Sequence, residues 1–426
     1  LQAYCKNKSN IVKYKKQQTE VIMRDLKSVT VNKKAEKLLR DGHVWVYGEE
    51  IIYRDEGIIN GDIVDVFSEK NRYLGSGYYN SLSKITVRLL STNANDKFDT
   101  DFFRRRIKYA VDYRKTVLSG DISSARLVFG DSDGIPGLIA DKFGDVLVTQ
   151  TMTLGTELRK DVIFPALIEY LKEIGEDVTC LYERNDVAVR QKEGLTLNKG
   201  YYNNDLLSND KSETVITENG IKYSVDFING QKTGYFLDQR FNRLAAAQTA
   251  AGKTVLDCFT HTGAFALNCV RNGAKSVTAA DISEEAISKT KENAALNGVN
   301  NMDFICADVF ELLDRLYAEK RRIYDYIILD PPAFTKSTKT VNAAYNGYKQ
   351  INMKAMRILP RGGYLATCSC SHFMTDALFR RMLLEAANEA GTRLKIVEAR
   401  QQAKDHPVLL GVPETEYLKF YIAQVI

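Results

Sequence analysis

Between residues 27 and 100 the apolar positions come in short alternating runs broken by Gly, Asn and Asp. "SVTVNKKAEKLLRDG" reads as a strand entering a short helix. "WVYGEEIIYRD", "GDIVDVFSE", "YLGSGYYN" and "KITVRLLS" read as further strands, so this stretch predicts a small β-rich, barrel-like module. "DFFRRRIKYAVDYRKTVL", 101–118, has helical spacing. Residues 125–200 mix strand-like pieces such as "ARLVFGDSDGIPGLIADKFGDVLVTQ" and "TCLYERND" with a helix near 156–173, an α+β texture. From about 205 to 426 strands and helices alternate regularly, the pattern of βαβ units on a parallel sheet. The expected division is therefore 1–26, a basic arm or non-native extension; 27–100, a β-rich module; 101–204, a linker helix and an α+β middle module; and 205–426, an α/β module.

Composition narrows the class. The 426 residues are 44% hydrophobic and 27% charged, ordinary for a globular protein, and no apolar run approaches the roughly 18–20 residues of a membrane span. The first residues are polar and basic without an apolar core, unlike a secretory signal, and Met23 is the expected start. Residues 1–23 hold five Lys and one Glu of a chain whose net charge is +5, so the remainder is almost neutral and any basic surface must be local. Arg104, Arg105 and Arg106 with Lys108, Arg114 and Lys115 form such a local cluster, either touching RNA phosphate or lying on a solvated linker helix. The seven cysteines are scattered over 5, 180, 258, 269, 306, 368 and 370. The odd count and the absence of a signal favour a reduced, cytoplasmic chain without a disulfide framework. His43, His261, His372 and His406 do not pair at ligand spacing, and no metal is expected.

Candidate chemistry concentrates in the last module. "KTVLDCFTHTGAFALNCVRNGA" reads as a buried strand ending at Asp257, a tight turn at Gly263 and a helix. "SVTAADIS" ends in Asp281, "MDFICADV" in Asp308 and "YDYIILDPPAF" in Asp330. Four successive strands thus carry a carboxylate at the edge where an open α/β sheet binds its ligand. Asp281 lies 24 residues after Asp257, within the roughly 20–25-residue spacing at which an acid bonds ribose hydroxyls. The turn has one glycine and no crowded phosphate cradle, which points to an adenosine ligand without phosphates, S-adenosylmethionine. The bland reading is that these acids only cap the following helices.

In "LDPPAF" two prolines force the chain out of the sheet, leaving Asp330 and Phe334 to hold a base above the cofactor. The same loop type occurs in enzymes that methylate exocyclic amines, so N-methylation of an RNA base is one reading. Cys368 and Cys370 suggest another. An amine has its own lone pair, whereas cytosine C5 becomes nucleophilic only after a group such as a thiolate adds to C6. Asp330 would then bond cytosine N3 and the exocyclic amine. The bland reading is a pair of packed strand-end cysteines.

The chain resembles the bacterial large-subunit ribosomal RNA cytosine-C5 methyltransferases that carry an N-terminal PUA domain. The resemblance covers about 27–426 and rests on "SDGIPGLIADKFGD", "RNDVAVRQKEGL", "GQKTGYFLDQR", "DPPAF", "GYKQINMKA", "SCSHFM" and "DHPV" with "YLK". It implies a PUA-like RNA-binding domain, a small middle domain and a Rossmann-like class I catalytic domain with a seven-stranded, mostly parallel sheet. It implies S-adenosylmethionine as cofactor and 23S ribosomal RNA as partner, with no membrane and with a homodimer among the assemblies expected. It places the nucleophile at Cys370, with Asp330 as its catalytic companion. The cofactor set it implies is Phe236, Asp238, Gln239, Arg240, Asp257, Phe259, Thr260, Thr262, Gly263, Asp281, Ile282, Asp308, Val309, Asp330 and Pro331, with Gln239 and Arg240 near the methionine carboxylate. The bland alternative there is a helix capped by Asp238. Pro332, Phe334, Arg104 and Arg105 are the expected substrate contacts. Two departures stand out: the loop position that often holds a releasing cysteine is Ala333 or Phe334, and Cys368 is extra. A non-catalytic RNA-binding assembly factor is the reading that needs no chemistry.

Overall fold

A computed structural model describes residues 26–203, 207–208, 210–335 and 337–426. The basic arm, with Cys5, and the expected junction at 204–205 lie outside the described residues.

The first module is one six-stranded sheet, β1 (Ser28–Val31), β2 (Trp45–Tyr47), β3 (Ile51–Arg54), β4 (Ile63–Ser68), β5 (Tyr73–Tyr79) and β6 (Ile85–Ser91), in the order β2-β6-β5-β4-β1-β3. Helix α1 (Lys33–Arg40) is capped by Asn32, whose side chain accepts from Ala35 N–H. Val29, Val31, Ala35, Val46, Val64, Val66 and Val87 form its core.

Helix α2 (Thr100–Val117), capped by Asp99, begins the next module. Its sheet has five strands, β7 (Ser124–Phe129), β8 (Leu138–Phe143), β9 (Val146–Thr151), β10 (Cys180–Asn185) and β11 (Asn198–Tyr201), in the order β11-β10-β9-β8-β7. The helix expected near 156–173 is two pieces, α3 (Leu154–Glu157) and α4 (Lys160–Glu173). Arg159 marks the break, its guanidinium donating to the Gly61 carbonyl of the first module at 3.0 Å. A hairpin, β12 (Glu213–Glu218) with β13 (Ile221–Asp226), and helix α5 (Arg240–Thr249) lead into the last sheet.

That sheet comprises β14 (Thr254–Cys258), β15 (Ser276–Asp281), β16 (Met302–Cys306), β17 (Tyr326–Leu329), β18 (Tyr364–Ser369), β19 (Leu394–Arg400) and β20 (Lys419–Val425), in the order β16-β15-β14-β17-β18-β20-β19. The first five in that order pair in parallel; β20 is antiparallel to both β18 and β19. Between the strands run α6 (Ala264–Arg271), α7 (Glu284–Leu296), α8 (Val309–Ala318), α9 (Val341–Ile358) and α10 (Asp376–Glu389).

Strand alternation divides the two faces. Val255, Tyr326, Ile328 and Cys368 face α5, α6 and α7, whereas Leu256, Ile327, Leu329 and Leu365 face α8, α9 and α10. With both faces covered, the central strands read as continuous apolar runs. The strand order reverses between β14 and β17, so a crevice opens beyond their carboxyl ends. Among the described residues no helix is long and apolar enough to cross a membrane.

Candidate active site

Beyond β14 the backbone turns sharply. Phe259 (φ 63°), His261 (φ 53°) and Gly263 (φ 77°) are all left-handed. For the two non-glycine residues this costs on the order of 1–2 kcal/mol each, so the surroundings must hold them. At Gly263 a Cβ would lie 2.6 Å from Thr290 Cγ2, which excludes any side chain. Thr290 donates to the His261 carbonyl at 3.0 Å and Asn293 to the Thr262 carbonyl at 2.9 Å, both from one face of α7. Thr260 N–H reaches the Ala280 carbonyl at 3.0 Å, and His261 N–H reaches Asp281 Oδ2 at 3.0 Å. The other Asp281 oxygen accepts from Ser283 N–H at 3.0 Å. The loop is thereby pinned with Asp281 at its rim, beside a cavity of about 380 Å³ bordered by His261, Thr262, Asp281, Ser283 and Gly234.

Asp257 lies beneath this loop, fully buried. Its Oδ2 accepts from Thr260 Oγ1 at 2.6 Å and Ala266 N–H at 3.0 Å, while Oδ1 has no partner. Burial pushes its carboxyl up to about 7; the charges of Asp330 and Asp281 add to the rise, and the Thr260 and Ala266 bonds oppose it. An orphaned buried oxygen among carboxylates that repel one another is complementary to a cation with hydroxyl and amine donors. The residues therefore fit S-adenosylmethionine, whose sulfonium and ammonium groups would relieve that repulsion.

At the end of β17, Asp330 Oδ1 accepts from Cys368 Sγ at 2.8 Å and from Gln239 Nε2 at 3.2 Å. Burial raises its pKa, against the Cys368 bond. Gln239 is itself held by Asn242, which donates to Oε1 at 2.7 Å. Cys368 is fully buried, and burial together with the Asp330 charge holds its thiol protonated. Cys370 differs. Strand β18 ends at Ser369, so Cys370 sits just past the sheet and is partly exposed. Burial raises its thiol too, but the Lys232 ammonium opposes that rise.

Lys232 Nζ donates to Asp238 Oδ2 at 2.7 Å and lies 4.3 Å from the Phe236 ring centre; Phe236 meets His261 edge-on at 5.0 Å. Tyr417 also donates to Asp238 Oδ2, at 2.7 Å. Burial acts to raise Asp238, but Lys232, His406 and Tyr417 outweigh it and hold the carboxyl well below the usual range. Asp238 thus ties the crevice wall to the chain before β20, and α5 has no side-chain cap.

Several expected residues are engaged elsewhere. Arg240 donates to the Ser124 carbonyl at 3.2 Å and to Asp121 at 3.3 Å, so its guanidinium joins two modules. Asp308 caps α8, its Oδ1 accepting from Phe310 N–H at 2.8 Å and Glu311 N–H at 3.1 Å, as the bland reading had it. Val309 is core and Ile282 is exposed. Phe334 packs on Tyr348 at 4.5 Å and closely over Gly347, so its ring belongs to the core rim. Pro331 is buried and Pro332 exposed. Arg104 pairs with Glu169 at 2.5 Å and Arg105 with Asp96 at 2.8 Å. Lys232, Tyr417, His406 and Lys419 also surround the site, though no motif marks them singly in the chain. The available signal was a lysine heading the apolar run "KFYIAQV" of β20.

Comparison with known proteins adds three findings. The family described as S-adenosylmethionine-dependent methyltransferase matches residues 166–416, beginning before the 205 boundary expected for the catalytic module, and the PUA-like domain family matches 29–92. The chain is 39% identical over 387 residues to ribosomal RNA large subunit methyltransferase I of Aeromonas salmonicida, covering 90% of this chain and 96% of that protein. It is 40% identical over 397 residues to the protein of the same name from Aeromonas hydrophila, covering 92% and 98%. A Streptococcus mutans structure described as a SAM-dependent methyltransferase superposes with a TM-score of 0.77 at 23% identity, over 93% of this chain and 100% of that one, a likeness of fold.

Proposed function

The chain belongs to the S-adenosylmethionine-dependent methyltransferases, in the family of ribosomal RNA large subunit methyltransferase I, and on that premise we propose that it methylates C5 of a cytosine in 23S ribosomal RNA through a covalent Cys370 adduct. The observation that carries the reading is one juxtaposition. Asp330 and Cys370 follow adjacent parallel strands, paired at Leu329 and Thr367, at the reversal of strand order and beside Asp257 and Asp281.

S-adenosylmethionine, when bound, supplies an electrophilic methyl group. Asp257 and Asp281 would hold it at the rim of the 259–263 turn, with Phe236 on the side toward Lys232. Asp330 takes the Watson–Crick edge of the base. Its raised pKa suits a carboxyl that donates to cytosine N3 while its second oxygen accepts from the exocyclic amine. The Cys370 thiolate attacks C6, a C–S bond forms, and the displaced electron pair makes C5 nucleophilic. Once C5 is methylated, water or another base takes the C5 proton, the C–H electron pair re-forms the C5–C6 double bond, and the C–S pair leaves on sulfur as the thiolate. Cys368 keeps Asp330 in place by its Sγ contact.

In this reading the catalytic module is Rossmann-like and runs from about 205, with its seven-stranded, mostly parallel sheet. Residues 27–100 act as the RNA-binding PUA-like module, 101–204 connect the two, and the enzyme works in the cytoplasm. RNA containing 5-fluorocytidine cannot lose a C5 proton, so the adduct should persist on a denaturing gel. It is expected with wild type and with Cys368→Ala and absent with Cys370→Ala. An adduct that follows Cys368 moves the nucleophile. N-methylated nucleosides without 5-methylcytidine, measured by mass spectrometry, would replace the C5 reading with amine methylation.

A further inference from the structure

Lys419 is a buried cation that the steps above leave unused. It heads β20, is 5% exposed and pairs across the ladder with Ser369, the last residue of β18. Its Nζ donates to the Ser371 carbonyl at 2.5 Å and the Tyr417 carbonyl at 2.7 Å. An ammonium has three donors. Two are spent on carbonyls, and no carboxylate pairs with the group among the described residues. The nearby acids are committed: Glu416 accepts from Gln401 at 2.6 Å, and Asp376 pairs with Arg380 at 3.0 Å and with the Tyr421 hydroxyl. A buried ammonium bound only to carbonyls is costly, and a protein keeps one where an anion forms beside it.

The bond to the Ser371 carbonyl places the charge one peptide from Cys370. We propose that Lys419 is a positioning residue whose ammonium is the counter-ion of the Cys370 thiolate. This deepens the reading of Cys370 as nucleophile and rests on it. The step is an ionisation. The Cys370 S–H bond breaks, the proton leaves to water, and the electron pair stays on sulfur facing the ammonium. Burial pushes Lys419 down to about 8, with Cys370, Glu416, Asp376 and Cys368 drawing it back up. Other groups facing Cys370 act differently. Asp330 and Asp238 oppose its ionisation. Tyr348 of α9 stays neutral because burial raises its hydroxyl. Lys232 favours the thiolate, yet it is 39% exposed and already paired with Asp238. Cys368, by contrast, is fully buried and spends its thiol proton on Asp330 at 2.8 Å.

Peptide-resolved alkylation by iodoacetamide, followed against pH on the full chain, reads the Cys370 thiolate directly. Lys419→Gln should move the inflection upward by a pH unit or more, slowing alkylation at pH 7.5 by roughly tenfold. Lys419→Arg, which keeps the charge, should stay near wild type. S-adenosylhomocysteine binding certifies that each variant is folded. A Lys419→Gln profile identical to wild type overturns the proposal. If the variants do not fold, wild type still decides. Lys419 acetylation should be slower when Cys370 carries an anionic carboxymethyl group than a neutral carbamidomethyl group, because the coupling is reciprocal. Equal rates overturn it. Neither measurement uses RNA, so failure of the 5-fluorocytidine adduct would sink the nucleophile reading and leave the Lys419–Cys370 coupling to be judged separately.

Discussion

The two halves of the catalytic sheet's carboxyl edge hold their acids differently. On the β14–β15–β16 side, Asp281 and Asp308 accept from backbone N–H groups: Asp281 from His261 and Ser283, Asp308 from Phe310 and Glu311. Backbone donors are fixed by the fold, so these carboxylates are held in place. On the β17–β18 side, Asp330 is held among the described residues by two side chains, Cys368 and Gln239, and burial raises its pKa. Under the proposed function the first half, through Asp281, would grip the cofactor and the second, through Asp330, would handle charge. Asp257 stands between them, half bonded and half orphaned.

The comparison can be broken first at its reactive half. Asp330→Asn keeps the shape but cannot act as a titrating donor. Single-turnover methyl transfer should fall on the order of 10²–10⁴-fold while cofactor affinity changes little. A loss of affinity with unchanged chemistry would invert the division. On the gripping half, Asp281→Ala should weaken S-adenosylmethionine binding by at least about tenfold, since charge-assisted hydrogen bonds are worth roughly 1.5–3 kcal/mol each. Calorimetry decides it, and an unchanged dissociation constant places the ribose elsewhere.

Asp257 sharpens the contrast through pH. A cation at its side favours the ionised carboxyl, so affinity for S-adenosylmethionine should rise from pH 6 to pH 8, by up to about tenfold for one proton released. S-adenosylhomocysteine, without the sulfonium charge, should show less of this rise, and Asp257→Asn should flatten it. For the free protein the sign reverses. The folded pKa of about 7 lies above the unfolded 3.8, so the neutral carboxyl contributes stability that is whole below about pH 4 and is lost as pH climbs through 7. Thermal melts with and without cofactor should therefore diverge most above pH 7. The smallest effect belongs to Asp308. Asp308→Ala should cost about 1 kcal/mol of stability, the usual worth of a helix cap, and leave cofactor affinity alone. A cofactor defect in that variant would return Asp308 to the ligand set.

Much of this was legible in the chain because it is local. The strand-end acids, the single-glycine turn and the double proline are turn chemistry, written within a few residues of where they act. The β20 lysine shows the limit. A Lys at the head of an apolar run signals an anomaly, but its meaning lies in the Ser371 carbonyl across the ladder, 48 residues away. Arg240 shows the reverse case. Its place beside Gln239 suggests one site, yet successive residues of a helix start point in different directions, and its guanidinium ends on Ser124 and Asp121.

The sequence by itself determined that a parallel sheet presents four carboxylates and two cysteines on one edge, because strand period, turn residues and apolar runs are properties of short segments. Which neighbours each of them meets was set only by the tertiary fold. Asp308 and Asp330 look alike in the chain, but Asp308 finds its donors within its own helix. Asp330 meets Cys368 and Gln239, 38 and 91 residues away, because the strand order reverses beside it. Likewise Cys368 and Cys370 share a parity and are separated only by where β18 stops. The first is still inside the sheet beside a carboxylate, and the second is just outside it, next to the residue whose carbonyl Lys419 holds. Charge and burial at such sites are set by neighbours far along the chain, and only folding brings those neighbours together.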